Sequence, residues 1–375
     1  MHKRHEIPVA RAEFTEWLLG FRAWAGKSPG GSAAWREAAR QGVVSLAVPE
    51  ECGGAGVGYE AACVALETLA EETGQSGLAF SLAAQMWACQ EPISAFGTAI
   101  QRQRYLAPLL AGDAVGAFAA TEYDAGSDLL SLRTTATQGV DGSWLLNGTK
   151  AFVTNGPSAD IFVVLARTGE GSNLAAFTAF LVPRGTAGFS VGRRIEKGAL
   201  DGAELCSLQL TDCRLPAEAL LAGVGDGFAV LMHAMRYERA FILAPSIGLM
   251  ARALKSGVEH VRMRQQFGRP LSANDAIRQR VVQMHMSLTS AREFLRTSAR
   301  AADLDTLDHQ RSSLTKLHVS TEFNRFCSEL PDLYGGYSIL SETGAMRLVA
   351  DAVASRYYSG TSDMQMKIIA EGLGL

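Results

Sequence analysis

Charge is scarce in this chain and neither sign dominates: charged side chains make up 19% of 375 residues, with a formal net charge of −3. Without a basic excess there is no electrostatic footprint for nucleic acid. No apolar run reaches the length that crosses a bilayer, and Met1-His-Lys-Arg-His-Glu lacks the apolar stretch of a secretory signal, so neither membrane nor export is expected. The six cysteines (Cys52, Cys63, Cys89, Cys206, Cys213, Cys327) show no CxxC pair and no ligand spacing. They are expected to be reduced thiols of a cytoplasmic protein, not a disulfide framework or metal site. What is abundant is apolar: 47% of the residues are hydrophobic, which leaves few solvated faces and suits burial between subunits. A chain this long exceeds one simple core and suggests about two or three domains.

The periodicity changes twice. Up to about residue 113 it is helical: Ser32 is placed to cap a helix that stops at Gly42, Tyr59–Thr73 has apolar residues at helical spacing, and Gln101–Leu110 repeats the pattern. From Val115 to about Pro216 the period shortens. Strand-like runs begin at Leu132, Ser143, Asp160, Ala176 and Leu205, with Asp141-Gly142 and Asn147-Gly148 as expected turns. Helical stretches then return over Phe228–Arg264, Ala273–Ala302, Thr306–Glu329 and Glu342–Tyr358, and from Ser362. Segregated helices, strands and helices predict an α+β fold with domains at 1–114, 115–226 and 227–375, not an alternating parallel sheet. Gly53-Gly-Ala-Gly-Val-Gly58 imitates a dinucleotide fingerprint, but Tyr59 stands where its last glycine belongs and no strand leads into it. A turn between helices is the expected outcome.

Chemistry concentrates in two loops. Phe118-Ala-Ala-Thr-Glu-Tyr-Asp-Ala-Gly-Ser-Asp128 and Trp144-Leu-Leu-Asn-Gly-Thr-Lys-Ala-Phe-Val-Thr-Asn-Gly156 offer small residues, hydroxyls and free backbone N–H groups to a planar, phosphate-bearing ligand. Further along come Arg264-Gln-Gln-Phe-Gly-Arg-Pro-Leu271, Leu333-Tyr-Gly-Gly336 and Tyr358-Ser-Gly-Thr-Ser362; earlier stand Pro49-Glu-Glu-Cys-Gly-Gly54 and Gln103-Arg-Tyr-Leu-Ala-Pro-Leu-Leu-Ala-Gly112. In this order, over nearly the whole chain, the motifs resemble those of the acyl-CoA dehydrogenase family. The resemblance implies an N-terminal α-helical domain, a central antiparallel β-domain and a C-terminal four-helix bundle, with bound FAD and an acyl thioester substrate.

By the same resemblance, Thr121 and Ser127 face the flavin ring and pyrophosphate, Phe152 packs beside the isoalloxazine, and Thr154 offers a hydrogen bond near its reactive nitrogen. Arg264 suits the pyrophosphate, with Phe267 covering the adenine half from a neighbouring subunit. Gly335 and Gly336 permit close approach. Phe118, Gly126, Thr361 and Asp363 complete the implied cofactor contacts. Taken singly, Arg264 also reads as a solvated helix end and Gly335-Gly336 as an ordinary turn. A homodimer or homotetramer is implied, with Met284, Leu288 and Leu295 expected between subunits.

Two departures sharpen the functional reading. Most of the family has a glutamate before the Gly-Thr of the last motif; here that place is Ser359, which is no base at neutral pH without an activating partner. Some members carry the base on an earlier helix, just before an arginine, and Arg236-Tyr-Glu-Arg-Ala240 puts Glu238 there. Its helical neighbours Ala234, Met235, Phe241 and Ile242 are apolar, so burial is expected to raise its pKa. The competing reading is an ion pair with Arg236 or Arg239. Arg236 replaces an aspartate common in coenzyme-A-using relatives, and with His233 and Arg239 it forms a basic face suited to a phosphopantetheine phosphate, a substrate carboxylate or solvent. Asp332 and Ala350 likewise replace a glutamine and an arginine.

The expected activity is therefore α,β-dehydrogenation of a thioester on coenzyme A or an acyl carrier protein, of the kind used in secondary metabolism. Glu238 takes the α-proton, the β-hydride goes to flavin, and Arg236, Arg239 and Ser359 lie on the substrate side. Electrons then pass to an electron-transferring flavoprotein or another acceptor. A flavin monooxygenase or oxidase on the same fold, and a non-catalytic flavin-binding homologue, are the alternatives.

Overall fold

The structure, a computed structural model, describes residues 7–28, 31–169 and 173–375. Helices α1 (Ile7–Ala25), α2 (Gly31–Arg40), α3 (Tyr59–Thr73) and α4 (Ser76–Ala84) come first. A π turn over Gln85–Gln90 then runs into α5 (Glu91–Phe96), and a second over Arg102–Leu106 joins α6 (Ala99–Gln101) to α7 (Ala107–Ala111). Sequence chemistry sets the ends: Thr98 and Gln101 form a reciprocal capping box, and α3 stops at Gly74, φ 67°. The side chain of Ser32, the expected cap of α2, lies outside the described residues. The glycines of residues 53–58 form the expected turn before α3.

The sheet holds β1 (Gly116–Ala119), β2 (Thr135–Gln138), β3 (Trp144–Thr154), β4 (Ile161–Arg167), β5 (Phe177–Pro183), β6 (Phe189–Arg194), β7 (Leu205–Leu215) and β8 (Leu220–Leu221). Its order is β6-β7-β3-β2-β4-β5-β8, antiparallel except where β1 and one residue pair of β2 run parallel to β4. The strand period of two splits β4 between two cores: Phe162, Val164 and Ala166 enter one cluster, Ile161, Val163 and Leu165 the other. Both faces of the sheet are thus covered.

One expected turn is corrected. Asp141-Gly142 does turn the chain, but Asn147-Gly148 lies inside β3, where the register against β7 slips between Leu146 and Gly148. Asn147 and Asp212 exchange hydrogen bonds across this bulge, and a Cβ on Gly148 would lie 2.7 Å from Thr134 Cα. The glycine marks close approach, not reversal.

The C-terminal part comprises α8 (Gly227–Phe241), α9 (Ala244–Met263), α10 (Asp275–Asp303) and α11 (His309–Ser328), then α12 (Leu330–Tyr334), α13 (Ala345–Ala354) and α14 (Ser362–Gly372). The run expected as one helix over Phe228–Arg264 breaks at residues 242–243, before Pro245. Gly227–Met263 is long and apolar enough to cross a membrane by length and composition, but most of its apolar window is buried within the chain. α9 crosses α3 closely because Gly248 has no side chain: a Cβ there would collide with the Glu67 carbonyl. Asp303, at the end of α10, accepts from the Tyr59 and Glu60 amides and so caps α3 from another part of the chain.

Met284, Leu288 and Leu295 require correction. They are 0%, 3% and 3% exposed within the single chain, facing its own core, so they are not intersubunit residues. On the outer side of the helix Val282 and Met286, one turn apart, are exposed.

Candidate active site

The two loops of the sheet are joined by a buried ion pair. Lys150 is fully buried on β3; its Nζ lies 2.9 Å from Glu122 Oε1 and donates to the Ala120 carbonyl at 3.0 Å. The Glu122 carboxylate also accepts from the Arg133 and Thr134 amides at 2.8 and 2.9 Å. Burial pushes the Lys150 ammonium down to about 8, against the pull of Glu122. Burial raises the Glu122 carboxyl, but Lys150 and the hydrogen bonds from Thr134 and Arg133 bring it below its usual value. The Thr121 carbonyl accepts from the Ala151 amide at 2.8 Å, a second tie between the two loops.

On this platform Phe118, Thr121 and Thr154 are half-buried, while Gly126 and Ser127 are exposed. Phe152 is 52% exposed at φ 55°, a left-handed conformation rare for an aromatic residue, and Tyr123 packs edge-on to it at 5.5 Å. An aromatic face held in strained backbone and left half bare fits a planar ring. The free hydroxyls of Thr121, Ser127 and Thr154 fit a ligand with polar edges.

A second cleft, of about 610 Å³, opens in the C-terminal part between Arg264, Leu271, Asp332, Gly335, Gly336 and Tyr337. Arg264 lies over the Tyr337 ring, 5.1 Å from its centre. Gly335 has φ 58° and ψ −136°, available to glycine alone, and nothing stands within 4 Å of a Cβ built on it or on Gly336. The bare backbone faces open space, as a ligand approach requires. Phe267 is 100% exposed at φ 53°, on the turn between β9 (Gln265–Gln266) and β10 (Arg269–Pro270). Asp332 pairs with Arg280 at 2.8 Å, so its charge is already met within the chain.

The third part surrounds Glu238. This residue is half-buried on α8, and Ser359 donates from Oγ to its Oε1 at 2.6 Å. Burial raises the Glu238 carboxyl above the usual range, opposed by Ser359, Arg239 and Lys316. Among the described residues no ion-pair contact within 4 Å joins Glu238 to Arg236 or Arg239, although the Arg239 charge still pulls on the carboxylate from its own helix. Ser359 has φ 55° and Gly360 φ 88°. Gln365 donates to both of their carbonyls, at 3.3 and 3.0 Å. Thr361 caps α14 through the Met364 amide, which occupies its hydroxyl oxygen as an acceptor, and Asp363 is exposed in the next turn.

The basic face of α8 is folded inward. Arg239 is 9% exposed, and its Nε and Nη1 find no hydrogen-bond partner among the described residues. Arg236 donates to the Tyr237 hydroxyl at 3.0 Å, and His233 lies 3.5 Å from Glu91. Tyr237 stacks on Tyr59 with ring centres 4.8 Å apart. α8 and β1 both pack on the Gln85–Gln90 π turn, and Gln85 accepts from the Gly116 amide at 2.7 Å. That turn links the helix of Glu238 to the sheet of the ring loops.

Sequence reading passed over Lys316. It is 1% exposed on α11, donates to the Ser355 carbonyl at 2.5 Å, and lies 5.0 Å from the centre of the Tyr358 ring. Burial pushes its ammonium down to about 7 despite the pull of Glu238. No signal in the sequence marks it: its helical neighbours Ser312 and Ser320 are polar, and only the fold buries this stripe.

Comparisons with known proteins agree along the whole length. Residues 14–113, 117–213 and 225–374 match the N-terminal, middle and C-terminal domain models of acyl-CoA dehydrogenase. The chain is 34% identical to an L-prolyl-[peptidyl-carrier protein] dehydrogenase of Pseudomonas fluorescens, over 91% of this chain and 90% of that protein. It is 33% identical to the mitochondrial isovaleryl-CoA dehydrogenase of Oryza sativa, over 88% and 80%. The solved structure of the prolyl acyl carrier protein oxidase AnaB superposes with a TM-score of 0.93 at 31% identity, covering 97% of this chain and 99% of that one. With all three domain models matched in order on the fold just described, the chain belongs to the acyl-CoA dehydrogenase family.

Proposed function

We propose that this protein is an FAD-dependent dehydrogenase that converts an acyl thioester to its α,β-unsaturated form, with Glu238 as the base. The observation that carries the reading is the state of Glu238: a half-buried carboxylate, raised in pKa, free of an ion pair and aimed by one hydroxyl. A structural carboxylate at this depth is normally paired. One with its pKa raised towards neutrality and one oxygen unclaimed suits proton removal.

The two loops and the C-terminal cleft fit the two halves of FAD. Phe152, Thr121 and Thr154 would hold the ring, Ser127 the phosphates, and Arg264, Gly335 and Gly336 the adenine-side half of a cofactor. When bound, FAD supplies the two-electron acceptor for the β-hydride. Ser359 occupies Oε1 of Glu238, which leaves Oε2 to receive the α-proton. Arg239, whose Nε and Nη1 have no hydrogen-bond partner among the described residues, and Arg236 would serve the substrate side. The cleft draws no lining residue from the two loops, which supports a cofactor site completed between subunits, and the exposed Val282 and Met286 suit such an assembly.

Relatives named as prolyl-carrier-protein dehydrogenases and as isovaleryl-CoA dehydrogenases are about equally similar, which supports a thioester borne on a carrier protein or on coenzyme A. A cation at Arg236, now donating to Tyr237, suits the phosphopantetheine phosphate that both kinds of thioester carry. The electron acceptor is a flavoprotein or oxygen. The test is anaerobic bleaching of the purified flavoprotein by a panel of aliphatic and prolyl thioesters, each on coenzyme A and on a carrier protein. Bleaching by at least one of them, lost in Glu238→Gln, is expected. A flavoprotein bleached by none, or a Glu238→Gln variant bleached as fast as the parent, overturns the assignment.

A further inference from the structure

Ser359 occupies the chain position where most of the family carries its base, yet its hydroxyl is turned onto the relocated one. The turn that achieves this is built from several sides. Lys316 holds its start through the Ser355 carbonyl, and Asn324 donates to the Ala352 carbonyl at 2.6 Å just before it. Tyr358 is wedged between Phe80, at 4.8 Å between ring centres, and the Lys316 ammonium. Gln365 of α14 gathers the carbonyls of Ser359 and Gly360, and the Ser362 amide donates to the Arg356 carbonyl at 2.9 Å. Ser359 itself is left at φ 55°, a conformation that a non-glycine residue keeps only when its surroundings impose it. A turn this constrained, ending in a 2.6 Å contact with Glu238 Oε1, is a device for holding that carboxylate.

We infer that Ser359 is a positioning residue for proton removal: it fixes the Glu238 carboxylate and favours its ionised form, and Lys316 anchors the turn that presents it. The inference rests on Glu238 being the base. Its direction follows from charge. The hydroxyl donates to the anion and not to the neutral acid, so its loss favours protonation. The charged groups facing Glu238 are Arg239 on its own helix and Lys316 on α11; the turn contributes Ser359 and α14 the neutral Gln365. His309, at the start of α11, faces Arg239 and Arg236. Both cations act with the hydroxyl and against burial. Lys316 falls to about 7, so its own deprotonation withdraws part of that support as pH rises.

The experiment compares the pH profile of anaerobic flavin bleaching in the full protein and in Ser359→Gly, Ser359→Thr and Lys316→Met, with flavin content measured for each. Ser359→Gly suits the left-handed turn and removes the hydroxyl together with its Cβ, while Ser359→Thr keeps both. The expected result is full flavin content with the acidic limb moved up by about 1–2 pH units, the range of one charge-assisted hydrogen bond. Ser359→Thr keeps a hydroxyl and should return the limb towards that of the parent. Lys316→Met should move it up as well. An acidic limb unmoved in Ser359→Gly, while Glu238→Gln is dead, overturns this inference and leaves the base assignment standing. A fully active Glu238→Gln overturns the base assignment itself. Lost flavin in Ser359→Gly would show a purely structural turn and also defeat the inference.

Discussion

Lys150 and Glu122 form an ion pair at 2.9 Å that fastens the two loops of the sheet to each other. Both residues belong to the motifs through which the chain resembles its family, but their role is internal. They leave Thr121, Ser127 and Phe152 as the groups that face outward. Lys150→Met strands the Glu122 carboxylate, at a cost of about 3–5 kcal/mol typical of breaking a buried pair. Urea unfolding measures that loss, and flavin content should fall with it. A stable, flavin-replete variant would show that the pair is dispensable.

Replacing Glu238 by glutamine retains shape and the contact with Ser359 while removing the proton acceptor. Thioester binding should persist, and the bleaching rate should fall by about 10²–10⁴-fold, the usual contribution of a general base. Rapid-mixing absorbance of the flavin band resolves the two. Unchanged bleaching would end the case for Glu238.

Lys316 predicts a pH dependence of stability with a definite sign. Its folded pKa, about 7, lies below the ordinary 10.5. Between those values the unfolded chain binds a proton that the folded chain lacks, so stability contributed by this group rises with pH. Below about 7 both states are protonated and the burial penalty is complete. The parent should therefore gain stability relative to Lys316→Met as pH increases through that window. Denaturant midpoints at a series of pH values provide the check; parallel curves would contradict it.

Phe267 is fully exposed, so Phe267→Ala should leave the stability of the chain unchanged. Loss of a stacking surface of this kind typically costs about 1–3 kcal/mol, or roughly 5- to 150-fold in FAD affinity. Flavin retention on dilution reads the effect directly. Gly335→Ala should act similarly from the cleft side, because φ 58° with ψ −136° suits no other residue.

The two faces of α10 should separate folding from assembly. Leu288→Ala opens a cavity in the chain's own core and should cost about 2–5 kcal/mol, independent of protein concentration. Met286→Glu changes an exposed side chain and should instead dissociate an oligomer, seen by sedimentation. If Leu288→Ala alone dissociates the protein, that division is wrong.

The order of helices, strands and helices was legible because apolar periods of 3.6 and two differ over any window of ten residues. The break at residues 242–243 interrupts the single helix expected over Phe228–Arg264, although Pro245 was a signal for it; the bulge at Asn147-Gly148 had no such signal. An Asn-Gly pair has the same chemistry in a tight turn and in a bulge, and only the partner strand β7, with Asp212 opposite, distinguishes them. The faces of α10 were misassigned for a related reason: an apolar stripe shows that Met284 and Leu288 are buried, not whether the same chain or a second copy buries them.

The sequence by itself determined the class of fold, the family and the candidacy of Glu238, because these depend on residue types at short, regular separations. Tertiary structure alone decided what meets that carboxylate. Ser359 is 121 residues away along the chain and Lys316 lies on another helix, brought together by packing of α8, α11 and the 355–360 turn. Hydrogen bonding and burial act over a few ångströms in space, and those separations are set only when the helices have docked.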